Sequence, residues 1–582
     1  MALFGSFREQ PLTAILTEFV PAELREFAPT PLFAACAITA VCSLLLGGGT
    51  RGGFLSDAVL ELIAIPALLL AVASLVDLPT WRTETRTNVY WVLAFCFAVA
   101  FLPLIQLVPL PPWLWTRLPG RDGLAKVFDL FGEPPWMPIS VSPYSTWLSF
   151  LSLLPPMAIF LAAVQLPYRD RRRLTLIVIA MAVLSAFLGL VQVAQGPTGS
   201  LRFFTITNPT EAVGFFANRN DFAALLYSSL PFAAAWVIDV AYKRASWENL
   251  KRHAPMMLVA LTASLLVLIV LLAAEGMARS RAGIVLSIVA LGGVFAMVFA
   301  DRRNANEAST DGGGVAGKWL LAAVVLALLF IIQFGLYRIA ERFPDPLEGA
   351  RLVFAHNTIH AAMAFMPFGS GLGTFVPVYA MFERAADTIP GAYVNRAHND
   401  VLEWWLETGA VGILLMVAFL ILFGSAAINA WRRPVAGASN LDRSLMRAAT
   451  ITVCLLIAHS FVDYPLRTEA IMAVFAMSCA LLIEPLQGEA AEMKVAAGRR
   501  AVSPVRAAPP LPPRPAVSSS PASGRPAITA ESSPARAHQS AARWGEDIDW
   551  PDEWRKPEKS QRSGTAKLET GTKNSPESDP NG

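Results

Sequence analysis

Charge is scarce where most of the chain lies. The first 486 of 582 residues hold only 65 of the 91 charged residues, about 13% of that length. Soluble domains usually carry about a quarter. This deficit excludes a nucleic-acid binder, a cytosolic enzyme and a secreted disulfide scaffold. Cysteine is scarce too. Cys36, Cys42, Cys96, Cys454 and Cys479 all sit inside apolar runs, with no CxxC or Cys/His metal spacing. They read as small buried hydrophobes, and no metal or other cofactor is expected. Residues 1–30 lack a basic start, a short apolar core and a small-residue cleavage site, so no cleavable signal peptide is expected. That leader mixes apolar residues with Arg8, Glu18, Glu23, Arg25 and Glu26. A surface-lying segment and a plain polar leader both fit it. The formal net charge of +3 averages two unlike regions and says little about partners.

What is abundant is apolar sequence in long runs. A bilayer core needs about 20 apolar residues in a helix. Twelve runs qualify, near 31–48, 55–76, 89–108, 144–165, 174–194, 220–240, 255–274, 281–300, 318–337, 408–430, 448–464 and 468–486. The last two are short and meet at Pro465, so eleven is the alternative count. With the N-terminus inside, the short inner loops carry 16 Lys/Arg and the short outer loops 8. That bias follows the positive-inside rule and puts both chain ends in the cytoplasm. The expected fold is an all-α polytopic membrane protein, with a leader at 1–30, a membrane domain at 31–486 and a disordered cytoplasmic tail at 487–582. Thirteen prolines mark that tail, and Trp544, Trp550 and Trp554 could dock an unknown partner. Two outer segments exceed mere connectors. Residues 109–143 carry Trp113, Trp115, Trp136 and many prolines, a composition suited to the membrane interface. The loop 338–396 is long enough to be functional, with a candidate helix from Ala350 to Met366.

Chemistry-bearing residues gather on the outer side. Phe216-Ala217-Asn218-Arg219-Asn220-Asp221 stands at the mouth of the sixth run. Glu275 to Arg281 links the seventh and eighth. Arg396-Ala397-His398-Asn399-Asp400 leads through Glu403 and Glu407 into the tenth, and Asp463-Tyr464-Pro465-Leu466-Arg467 joins the last two. Guanidinium forks suit phosphate oxygens and stay charged. Histidine is the side chain that titrates near neutrality. Together at a lipid–water boundary they point to transfer chemistry on a lipid phosphate or diphosphate. Arg279 and Arg281 are two apart and on a helix would not share a face. Asn399 is a plausible helix N-cap. Glu403 and Glu407 share one face, either orienting partners or forming a solvated stripe. Asp57 and Glu61, also four apart, fit a proton path or a buried polar pair. His356 and His360 have helical spacing without a zincin glutamate. Gly369-Ser370-Gly371-Leu372-Gly373 lacks dinucleotide-fingerprint spacing and reads as a tight turn.

In this order the segments resemble the O-antigen ligase and O-antigen polymerase superfamily. The carriers are Phe216 to Ala223, Ser280-Arg281-Ala282-Gly283, Gly369 to Phe375, His398 to Glu403 with Glu407, Gly409 and Gly412, and Val462 to Arg467. The resemblance spans roughly 200–470. It implies a multi-helix glycan transferase of GT-C-like architecture in the bacterial inner membrane, with a large periplasmic loop. The donor would be a glycan on undecaprenyl diphosphate, transferred with inversion to an acceptor hydroxyl at the periplasmic face, without metal or nucleotide sugar. Arg219 and Arg281 are implied to hold the diphosphate, and His398 to position or deprotonate the acceptor. Arg279, Arg351, Glu403 and Arg467 are further substrate-binding candidates, ahead of Arg202. A ligase using lipid A-core is the first expectation. A repeat-unit polymerase with a glycan acceptor, a protein O-oligosaccharyltransferase and a solute transporter are the alternatives.

Overall fold

Backbone surrounded by hydrocarbon must satisfy its own hydrogen bonds, and a single apolar run can do so only as a helix. The computed structural model follows that rule. It describes residues 30–50, 52–76, 87–204, 207–243, 247–307, 346–388, 393–432 and 438–485. Helices α1 (Pro31–Leu46), α2 (Leu55–Val76) and α3 (Thr87–Gln106) come first. A two-residue antiparallel ladder, β1 (Pro109–Leu110) with β2 (Met137–Pro138), encloses the short helices α4 (Pro112–Trp115) and α5 (Asp122–Asp129). Next are α6 (Pro143–Leu151), α7 (Leu154–Gln165), α8 (Tyr168–Gln195), α9 (Arg219–Lys243), α10 (Trp247–Ala278) and α11 (Arg281–Glu307). Then follow α12 (Pro346–Ala364), α13 (Phe375–Phe382), α14 (Asp400–Arg432), α15 (Asn440–His459), a 3-10 turn (Pro465–Arg467) and α16 (Glu469–Leu481).

Among the described residues, six segments are long and apolar enough to cross a membrane: α2, α6 with α7, α8, Arg219–Val240 of α9, Arg281–Ala300 of α11, and α14. Four shorter apolar helices, Pro31–Leu46, Tyr90–Gln106, Leu266–Ala278 and Glu469–Leu481, accompany them. Eleven of the twelve expected runs therefore fall on helices. The run 318–337, leader residues 1–29 and the tail 487–582 lie outside the described residues.

The departures have local causes. The run at 144–165 is broken between α6 and α7, just before Pro155 and Pro156, which cannot donate backbone hydrogen bonds. Helix α8 begins six residues before its apolar run, because its arginines are used structurally. Arg171 is buried and donates Nε to Ala163 O at 2.9 Å and Nη2 to Val164 O at 2.7 Å. Those carbonyls end α7, where a helix leaves acceptors unpaired. Arg172 reaches Asp442 at 2.7 Å. Asp442 also completes a capping box with Ser439 that starts α15 ahead of its apolar run. Helix α14 is kinked at Gly409, whose φ of 61° and ψ of −142° are not helical. The expected span at 408–430 is thus the part beyond the kink. The turns before it form a separate shelf.

Helix α9 is the centre of the bundle. Its apolar window is 89% buried, whereas that of α14 is 6% buried and lies at the edge. Small residues let backbones approach, the usual basis of helix packing in membranes. Gly189 of α8 lies against Phe222, and Gly293 of α11 against Ile451 of α15. One end of the bundle carries the described parts of the long loop. There Gly369, Gly371 and Gly373 all have positive φ, as a tight turn requires. A Cβ on Gly371 would lie 2.6 Å from Ser140 Oγ, and one on Gly369 2.5 Å from Glu407 O. The turn is clamped between residues 109–143 and the α14 shelf.

Candidate active site

Three chain segments converge at that end. The first turn of α9 brings Asn218, Arg219, Asn220 and Asp221. The residues before α14 bring Arg396 and His398. The turn after α15 brings Asp463 and Tyr464.

His398 adopts φ 50°, rare for a side chain with a Cβ. The left-handed residue turns the chain just before α14. Asn399 is the N-cap, accepting from Leu402 N at 3.0 Å and donating to Phe461 O at 2.9 Å. The turn leaves the imidazole partly exposed, with Nδ1 2.9 Å from Asp463 Oδ1. Phe354 of α12 stacks on the ring with centroids 6.2 Å apart, and Tyr464 meets it edge-on at 5.0 Å. Asp463 also accepts from Asn220 Nδ2, and Arg351 Nη2 stands 3.6 Å away. Arg351 donates a second bond to Val462 O at 3.1 Å. Burial alone would raise the Asp463 pKa. The His398 hydrogen bond and the charges of His398 and Arg351 outweigh it, holding the carboxyl well below its usual range. An ionised carboxylate only accepts, so the hydrogen in this bond sits on Nδ1 of His398. Nε2 is the nitrogen left for substrate.

Helix α9, which Arg219 opens, touches this pair through Asn220, which bonds Asp463. Arg219 opens α9, donating its backbone N–H to Asn208 Oδ1 at 2.9 Å and Nη1 to Glu211 Oε1 at 3.0 Å. Asn218 and Asn220, flanking it, bond Tyr464 Oη and Asp463. Arg281 opens α11. A Cβ on Gly283 would lie 2.6 Å from Ala223 Cβ, so the first turns of α9 and α11 are in contact. Arg279 and Arg281 do not share a helix. Arg279 is a left-handed linker, φ 53°, between α10 and α11, and both arginines are partly buried. Arg202 donates to Asn208 O and Glu211 O, bracing the loop ahead of α9.

Glu403 and Arg467, expected as substrate contacts, are engaged by protein charges in an ion cluster next to the site. Arg467 Nη1 lies 2.7 Å from Glu407 Oε2 and 3.6 Å from Glu403 Oε1, with Nε 3.5 Å from Asp400 Oδ1. Arg396 Nη1 reaches Glu403 Oε1 at 2.9 Å. Glu403 and Glu407 are 0% exposed, which removes the solvated-stripe reading. Burial would lower the Arg467 pKa, but the three carboxylates reverse this and hold its proton more tightly than usual. The cluster fastens the α14 shelf to the Pro465–Arg467 turn, and so fixes His398 relative to Asp463.

Other singled-out residues lie elsewhere. Asp57 and Glu61 are buried in α2. His356 and His360 are exposed on α12 with rings 4.2 Å apart. Among the described residues, no group of three or more His, Cys, Asp or Glu is arranged to hold a metal. Asp463, Asn220 and Phe354 acquire their roles only through contacts that the linear sequence does not show. The one local signal was for Asp463, an acid two residues before the Pro465 break between two apolar runs. An apolar cavity of about 460 Å³ opens between α3, α7, α14 and α16, reaching Arg396 and Arg467 at its polar end.

Residues 262–417 match a family model described as O-antigen ligase. The matched segment, 156 of the 582 residues, is similar to the O-antigen ligase and polymerase superfamily. It runs from α10 through α11 and α12 into α14 just past its kink, and so includes Arg281 and His398 but neither Arg219 nor Asp463. Its long apolar helices give the chain the make-up of a multi-pass membrane protein. No curated protein matches the chain.

Proposed function

We propose that the chain transfers a glycan from a lipid diphosphate to an acceptor hydroxyl at the periplasmic face of the bacterial inner membrane, as an O-antigen ligase. The observation that carries this reading is the His398–Asp463 pair beside two helix starts that each bear an arginine. The donor is a glycan on undecaprenyl diphosphate and the acceptor is lipid A-core. The acceptor oxygen attacks the anomeric carbon, the carbon–oxygen bond to the diphosphate breaks, and configuration inverts. Undecaprenyl diphosphate leaves with the bonding pair.

Each residue has a distinct task. Arg219 and Arg281 face charge that grows on the diphosphate as the bond breaks, the point where fixed positive groups lower a barrier most. Arg279 is a further cation near the same oxygens. His398 Nε2 accepts the acceptor's proton, while Asp463 fixes the tautomer and steadies the imidazolium. Arg351 braces Asp463 and Val462, and Phe354 sets the ring plane. The apolar cavity is a candidate lodging for part of a lipid chain. No metal is assigned a role.

The test is the envelope profile of a deletion strain, with polysaccharide and lipid-linked intermediates separated. A ligase predicts full-length polymer accumulating on undecaprenyl diphosphate above bare lipid A-core. Loss of long polymer with single repeat units remaining would replace the ligase by a polymerase. An unchanged profile would favour a protein acceptor or solute transport instead.

A further inference from the structure

The segment between α3 and α6 is a lobe that carries several large apolar side chains on its surface. Trp115 is 1% exposed, packs edge-on against Phe128 and donates Nε1 to Pro135 O at 2.8 Å. Arg121 is 2% exposed, bonds Ile139 O and lies over the Phe365 ring at 4.9 Å. These anchors hold the lobe's shape from inside. Outside, Leu130 is 83% exposed, Phe131 84%, Trp136 66% and Trp113 63%. Soluble surfaces seldom present such residues together, and a contiguous apolar patch marks an interaction site.

The occupant follows from continuity and charge. Phe97, Phe101 and Ile105 are exposed at four-residue spacing along apolar α3, and Val108 extends that face. The chain then enters β1, paired with β2 directly after Trp136. The stripe that α3 offers to hydrocarbon therefore runs into the lobe without a polar interruption. Asp122, Lys126, Asp129 and Glu133, all exposed, recur at helical spacing along α5 and the turn after it. This is the pattern of an element lying in the interface plane. Its exposed charges, Arg117 and Lys126 against Asp122, Asp129 and Glu133, nearly cancel, so anionic headgroups are not what draws it.

We infer that the lobe from Pro109 to Val141 seats Leu130, Phe131, Trp113 and Trp136 in the lipid interface, and thereby sets the height of the His398 site above the leaflet. The mechanical link is short. Gln106 donates Nε2 to Glu407 O at 2.9 Å and accepts from Leu372 N at 2.9 Å, while Val141 N reaches Ser370 O at 2.9 Å. Arg121 meets Phe365, which lies just past the end of α12, the helix that carries Arg351 and Phe354. The positioning clause rests on the transfer reading above; the seating does not.

Nitroxide labels on Phe131→Cys and Asp129→Cys, in phosphatidylcholine proteoliposomes, test the seating. Unsubstituted protein labelled in parallel supplies the background of the native cysteines. The Phe131 label should collide with oxygen and avoid a water-soluble nickel chelate. The Asp129 label should do the reverse, and neither should change when anionic lipid is added. A Phe131 label open to the nickel chelate would overturn the proposal. Dipolar broadening between Phe131 labels would also overturn it, by identifying a second copy as the occupant. For the positioning clause, Leu130→Glu with Phe131→Glu should lower transfer about tenfold in vesicles and little in detergent. Equal transfer in both media would remove that clause. Unsubstituted protein inactive in both media would refute the transfer reading while the label result stands.

Discussion

Replacing Arg467 with methionine should unfold the active end rather than weaken substrate binding. The substitution keeps most of the side-chain volume and removes the charge. It strips Glu407 of its 2.7 Å partner and Asp400 of its cation, while Glu403 keeps Arg396. All three carboxylates are buried, Asp400 at 7% exposure and both glutamates at 0%. Removing one partner of a buried ion pair costs about 3–5 kcal/mol, because the remaining charge is left uncompensated. The second variant, Arg467→Met with Glu407→Gln, removes the most exposed part of that penalty and should recover about half. Heating detergent-solubilised protein and measuring the remaining monodisperse peak gives the comparison. The single variant should lose its peak at a clearly lower temperature, with the double variant between it and the parent. A single variant as heat-stable as the parent, but deficient in donor binding, would refute the fastening role of this cluster and return Arg467 to the substrate.

Other outcomes separate chemistry from folding. Arg219→Ala and Arg281→Ala should each lower transfer about 10²–10³-fold with protein levels kept, checked by donor consumption on purified protein. His398→Ala should lower it about 10²–10⁴-fold, and full transfer by a well-expressed variant would remove its role as base. Asp463→Asn should lose a charge-assisted hydrogen bond of about 1.5–3 kcal/mol, roughly 10- to 150-fold in rate. Because folding lowers the Asp463 pKa, its stabilisation is full above the unfolded carboxylate value of about 3.9 and fades as pH falls below it. Heat stability of the parent and Asp463→Asn should therefore differ at pH 5 and converge only in stronger acid. Gly371→Ala, forced to φ 109° against Ser140, should cost about 1–3 kcal/mol, read as a lower melting temperature.

The sequence alone determined that this is a membrane bundle and where its helices run. Hydrocarbon imposes one local rule, a continuous apolar run of fixed length, and such a rule needs no partner to be legible. Helix Leu55–Val76 coincides with its run for that reason. Asn399 as an N-cap was legible too, because capping joins residues three apart. Resemblance singled out Arg281 and His398 through short contiguous segments. Tertiary structure decided what those residues touch. Asp463 meets His398 across 65 positions, and Glu407 meets Arg467 across 60. Nothing in either local pattern separates a substrate ligand from a buried fastener, since both are charged residues at a helix mouth. The choice depends on how many opposite charges the fold brings to each cation, three carboxylates for Arg467, and on how much of the cation it leaves exposed, 24% for Arg219 against 13% for Arg467. Packing also broke the 144–165 run between α6 and α7 and kinked α14, through paired prolines and one glycine whose backbone angles only the assembled turn required.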